Sequence, residues 1–168
     1  MTLPGMDIAA LEQFLRVNGV EVRGELRVEL ISGGRSNLTF AAADDVSRWV
    51  VRRPPVAGLT PSAHDMAREY TVTDALQGSA VPVARTVAFD AQGATLGASM
   101  TVVEYIDGLV TRDQDDLATL TDAQVEASVA ELVRVLARLH EIDPHAVALQ
   151  KFGRPAGQSF AGVNGGPK

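Results

Sequence analysis

The chain contains no cysteine, which excludes a disulfide framework and any thiolate metal or redox site. Histidine is scarce too: His64, His140 and His145 are the three present, too dispersed for a zinc cluster. His140 and His145 flank a helix end before Pro144 and are read as matching the C-terminal dipole rather than as ligands. Basic charge is in deficit, with 15 Lys and Arg against 21 Asp and Glu, a net charge of -6 and a pI near 5.0. Phosphate backbones are held by clustered Lys and Arg, so no nucleic-acid partner is expected. No stretch approaches the ~20 consecutive apolar residues of a membrane span, and the first residues carry no basic segment followed by an apolar one. The expected address is therefore cytoplasmic, with no membrane partner.

What is present is a globular balance: 46% hydrophobic and 21% charged residues over a length of 168, enough for an ordered core. Asp7 caps an amphipathic helix through Ile8, Leu11, Phe14 and Leu15, stopped by Gly19. Alternating polar and apolar residues over 25–31 and 38–42 predict two strands joined by a glycine turn. Asp44 and Asp45 turn the chain into a third strand over 48–53, which Pro54 and Pro55 close because proline cannot continue the ladder. Ser62 to Asp65 fits a capping box that opens a helix through Arg68, Glu69, Tyr70, Val72 and Leu76, ended by Gly78. Residues 82–89 and 98–105 predict two further strands, so the order is helix, three antiparallel strands, helix, two strands, an α+β layout. A connector at Ile106, Asp107 and Gly108 leads to a long helix, capped by Thr121, with a stripe of Val125, Val129, Leu132, Val133, Leu136 and Leu139. The glycine-rich residues 158–168 predict a disordered tail.

Candidate chemistry starts at the turn. Gly33 and Gly34 allow close approach of backbone N–H groups to an anion, although a glycine pair between strands is also an ordinary hairpin turn and matches neither the Walker loop nor G-x-G-x-x-G. Arg52 on the third strand, followed by Glu69 on the next helix, suits a cation holding ATP phosphates with a carboxylate to orient it. The plain alternative is a strand leaving the core beside a solvated helix face. The apolar run Met100 to Tyr105, ending in a connector, suits backbone recognition of a base at a lobe junction, and equally a buried strand. Trp49 is assigned to packing.

Together these segments resemble the aminoglycoside phosphotransferase-like family over roughly residues 7–157: Ile31 to Phe40, Trp49 to Pro55, Pro61 to Met66 with Arg68, Glu69 and Tyr70, and Glu104 to Gly108. The branch found fused to acyl-CoA dehydrogenases is the most similar. The resemblance implies a protein-kinase-like fold: an ATP-binding N-terminal lobe over 1–106, a five-stranded antiparallel sheet with a helix, followed by the first helix of a truncated C-terminal lobe in 107–157. It also implies a phosphate-covering turn at Ser32, Gly33, Gly34, Arg35, Ser36 and Asn37, and a phosphate-binding cation at Arg52 partnered by Glu69. The adenine-contacting linker would be Glu104, Tyr105, Ile106 and Asp107. The implied ligands are ATP, Mg²⁺ in the complete fold, and a small-molecule hydroxyl as acceptor.

Two departures matter. Many relatives carry lysine where this sequence has Arg52, and a guanidinium binds phosphate with a different geometry. The family's His-Gly-Asp loop, downstream Asn and metal-binding Asp do not occur, since none of the three histidines precedes Gly-Asp and Asp143 is the last acidic residue. The expectation is a fragment without catalytic residues of its own and without metal ligands; the alternatives are a non-catalytic nucleotide-binding or interaction module, or a non-functional gene fragment. Its long helix should leave an apolar stripe exposed, with self-association as the consequence.

Overall fold

In the computed structural model, which describes residues 3–32, 37–56, 65–111 and 113–153, helix α1 spans Ile8–Val17. Asp7 caps it, its side chain accepting from the Ala10 N–H at 3.0 Å. At the other end Gly19 takes φ +79°, the Gly19 N–H donates to Arg16 O and the Val20 N–H to Leu15 O. This paired closure satisfies the last carbonyls of the helix and needs the left-handed residue that glycine supplies. Leu11 and Leu15, one turn apart on α1, are fully buried.

They pack on a sheet of strands β1 (Arg27–Ser32), β2 (Leu38–Ala43), β3 (Arg48–Arg53), β4 (Thr86–Asp90) and β5 (Met100–Glu104), in the order β1-β2-β3-β5-β4. Every pairing is antiparallel, as expected. Directly opposed residues share a face, so Phe40, Val51, Val102 and Ala88, in register across four strands, form one buried row. With Leu11, Leu15, Leu38, Trp49 and Met100 they make the core. Trp49 is thus a packing residue, as read from the sequence.

Helix α2 (Met66–Ala75) lies on the opposite face of the sheet, through contacts described below. Its N-cap is Asp65, which accepts from the Arg68 N–H at 3.0 Å, so the helix opens at the last residue of the expected capping box. The turn residues 33–36, the cap residues 62–64 and the tail 158–168 lie outside the described residues. Strand β4 begins at Thr86 rather than at Pro82, because proline has no N–H for a ladder. A bulge between Thr86 and Ala88 then shifts its register on β5.

Two buried carboxylates shape the turns. Asp44 accepts from the backbone N–H groups of Arg23, Val46 and Ser47. Burial alone would raise its pKa, but these donors outweigh it and hold the carboxyl below the usual aspartate value. Asp90 does the same for the β4–β5 loop, accepting from Gly93, Ala94 and Thr95, and is held low for the same reason against its burial.

After β5 come a short helix α3 (Gln114–Ala118), which the sequence reading did not anticipate, and α4 (Asp122–Glu141). Thr121 and Gln124 form the expected capping box. No residue of α4 is buried, and Val129, Leu132, Val133, Leu136 and Leu139 are exposed. No helix among the described residues is long and apolar enough to cross a membrane.

Candidate functional site

Strand alternation gives the two adjacent arginines of β3 opposite fates. Arg53 points to the core side and is 5% exposed. Its guanidinium donates to the carbonyls of Gly5, Leu96 and Pro54, tying the segment before α1 to the β4–β5 loop. Burial lowers its pKa from the ordinary value, yet a guanidinium stays charged at neutral pH, and carbonyl oxygens rather than a carboxylate satisfy it.

Arg52 emerges on the other face, in a row with Thr39, Thr101 and Phe89. Its Nη1 donates to Glu69 Oε1 at 2.6 Å, and both side chains are about a third exposed. The pair is therefore fixed in direction but open to solvent on one side. Glu69 is held there because α2 is docked at two further points. Tyr70 stacks on Phe89 with ring centroids 4.6 Å apart and an interplanar angle of 12°, and Thr86 donates to Asp74 at 2.7 Å. An offset aromatic stack and a short hydroxyl–carboxylate bond fix both the height and the rotation of the helix.

The next row along this face is Ala41, Val50 and Val103, all partly exposed. Small and β-branched residues make a flat apolar floor, the kind of surface on which a planar ring is placed by contact rather than by polar side chains. A groove of about 340 Å³ continues it beside Ala41, Ala43 and Arg48.

The linker closes the far end. Glu104 is the last residue of β5, and its carboxylate turns to the core side to meet Arg85 at 3.2 Å, so its side chain points away from the floor. The Tyr105 N–H donates to Arg48 O at 3.1 Å. Among the described residues no hydrogen bond engages the backbone of Ile106, which leaves a donor and an acceptor free at the edge of the floor. Asp107 is paired with Arg48 at 2.9 Å.

Of the residues read from the sequence, Arg52, Glu69, Tyr105, Ile106 and Asp107 thus border one face. The side chain of Ser32 and residues Gly33, Gly34, Arg35 and Ser36 lie outside the description, while Asn37 directly precedes β2. The floor residues and Arg48 were missed. The alternation of β2 and β3 carried a signal for the former, since Ala41 and Val50 lie two positions from Thr39 and Arg52. Among the described residues no group of three or more His, Cys, Asp or Glu could hold a metal ion.

Comparison with known proteins bears on this arrangement. The chain is 30% identical over 155 residues to acyl-CoA dehydrogenase family member 11 of Rattus norvegicus, an alignment covering 90% of this chain and 20% of that protein. It is 29% identical over 135 residues to the protein named probable acyl-CoA dehydrogenase IBR3 of Arabidopsis thaliana, covering 77% of this chain and 16% of that one. A crystal structure from Ralstonia eutropha JMP134, named as a candidate aminoglycoside phosphotransferase, superposes with a TM-score of 0.71 at 34% identity, over 89% of this chain and 42% of that one. The chain therefore spans about a fifth of the length of the rat relative and less than half of the solved one. The sheet and helices match the kinase-like fold of that structure, and the phosphotransferase enzyme family profile matches residues 27–163. By that match, and by the fold that accompanies it, the chain belongs to the phosphotransferase enzyme family.

Proposed function

We propose that this chain is the ATP-binding part of a kinase that transfers a phosphoryl group to a hydroxyl of a small molecule. The observation that carries the reading is the Arg52–Glu69 pair at 2.6 Å, set beside an open apolar floor and a linker whose Ile106 backbone is free. A carboxylate that aims a guanidinium leaves its remaining N–H groups for phosphate oxygens. A base lying on Ala41, Val50 and Val103 would meet the Ile106 N–H and C=O at its edge. In this reading Ser32 to Asn37, which join β1 to β2 in the sequence, remain the phosphate-covering turn.

Phosphoryl transfer also needs a base for the acceptor hydroxyl and metal ligands for the departing charge. This sequence has no His-Gly-Asp, so the reading for the chain by itself is binding without turnover, in a cytoplasmic setting. Titration calorimetry with ATP tests it. Saturable binding is expected, changing by less than about threefold when EDTA replaces Mg²⁺, because arginine and backbone groups supply the contacts. Absence of ATP binding at millimolar concentration overturns the reading.

A second reading, an interaction module without phosphotransfer, is favoured by one observation: the apolar stripe of α4 is exposed. It predicts association through α4 whether or not nucleotide is present.

A further inference from the structure

We propose that Arg48 is a positioning residue for nucleotide binding, fastening the linker after β5 to the strand that carries Arg52. The inference rests on the nucleotide reading above and adds to it the residue that keeps base and phosphates in register.

Three contacts converge on one short segment. Arg48 Nη1 donates to both carboxylate oxygens of Asp107, at 2.9 and 3.0 Å. Its guanidinium lies over the Tyr105 ring, 3.8 Å from the centroid. Its carbonyl accepts the Tyr105 N–H at 3.1 Å. Tyr105 and Asp107 bracket Ile106, one of the linker residues whose backbone makes no hydrogen bond among the described residues, so the linker is held on both sides of the position that would meet the base.

The strand then acts as a ruler. Arg48 and Arg52 are four residues apart on β3, about 13 Å at the usual ~3.3 Å rise per residue, and both project to the same face. One end holds the linker and the other presents the phosphate cation. An exposed ion pair alone contributes little. Here three contacts order a single coil segment before the ligand arrives, and ordering in advance removes an entropic cost that binding would otherwise carry.

Arg85 provides the control. It pairs with Glu104 at 3.2 Å and is likewise partly exposed, but on the core side of the sheet and with no aromatic partner among the described residues. If any ion pair near the linker sufficed, the two arginines would behave alike.

The test uses the whole chain, with calorimetry for ATP and for adenosine, and amide hydrogen exchange over residues 105–108 without nucleotide. Arg48→Met is expected to weaken ATP and adenosine equally, by about 3- to 10-fold, and to speed exchange of the linker amides. Arg52→Met should weaken ATP but not adenosine, and Arg85→Met neither. Asp107→Asn, which breaks the same pair from the linker side, should reproduce Arg48→Met, and Arg48→Glu combined with Asp107→Arg should restore part of the affinity. ATP affinity and linker exchange unchanged in Arg48→Met and Asp107→Asn would overturn the positioning role while leaving the nucleotide reading intact. A wild-type chain that binds neither ATP nor adenosine would overturn both.

Discussion

Arg52 and Arg53 share a chemistry and a peptide bond, yet the period of two along a strand sends one to an open face and the other into the core. Substitution should separate them. On the proposed reading, Arg52→Met removes a charge-assisted contact to phosphate worth about 1.5–3 kcal/mol, or roughly 10- to 100-fold in ATP affinity. It should leave the thermal midpoint nearly unchanged, because a part-exposed ion pair contributes ~0–1 kcal/mol. Arg53→Met should do the reverse. It removes the donor to the buried carbonyl of Pro54 and to the part-buried carbonyls of Gly5 and Leu96, at about 1–3 kcal/mol for the buried group left unsatisfied, and it lies away from the proposed nucleotide face. Calorimetry and denaturant unfolding on the two variants check both halves, and an Arg52→Met that loses stability but not affinity would remove Arg52 from the site. The pair with Glu69 was legible in the sequence because a basic strand residue and an acidic helix residue, 17 positions apart, sit in a recognisable order. Arg48 was not, since its partner Asp107 lies 59 residues away, and nothing local marks a strand's first residue as the anchor of a distant linker.

Elements were legible where their signals are local and repeated. Strand β3 runs from Arg48 to Arg53 as expected, bounded by an aspartate turn and two prolines. Helix α4 follows its capping box and its stripe. Helix α3 escaped notice because five residues are too few to show a helical period. The loops make a sharper test of the fold, through two glycines that share a backbone state but not a neighbourhood. Gly19 has φ +79° with no heavy atom within 4 Å of an added Cβ, whereas at Gly93, φ +70°, that Cβ would lie 2.7 Å from the Ala98 backbone. Gly19→Ala should therefore cost about 1 kcal/mol, the ordinary penalty of the left-handed region. Gly93→Ala adds a clash with main chain that cannot rotate aside, and should cost about 2–4 kcal/mol by loosening the loop that Asp90 organises. Equal losses in urea unfolding would show that the β4–β5 loop yields more easily than its packing implies.

At the scale of the molecule, the two ends of the chain bury their helices unequally. Leu11 and Leu15 of α1 are fully buried, as an amphipathic helix requires, while the stripe of α4 remains in solvent: Leu132 is 67% exposed and Val133 61%. Side chains at positions 129, 132, 133, 136 and 139 recur every three or four residues, so they form one continuous strip on the order of a few hundred Å², the size at which an apolar patch drives association. The expected outcome is reversible self-association at micromolar concentration, seen by sedimentation and by binding of a hydrophobic dye. Leu132→Lys with Leu136→Lys should abolish both, since each buries a charge at the centre of any α4–α4 contact. The ATP affinity of this double variant should stay within twofold of wild type, because the proposed nucleotide face is built from β2, β3, β5, α2 and the linker and takes nothing from α4. A wild-type chain that sediments as a monomer and leaves the dye dark would mean that the strip is covered by other parts of the same molecule, and the association would have to be abandoned.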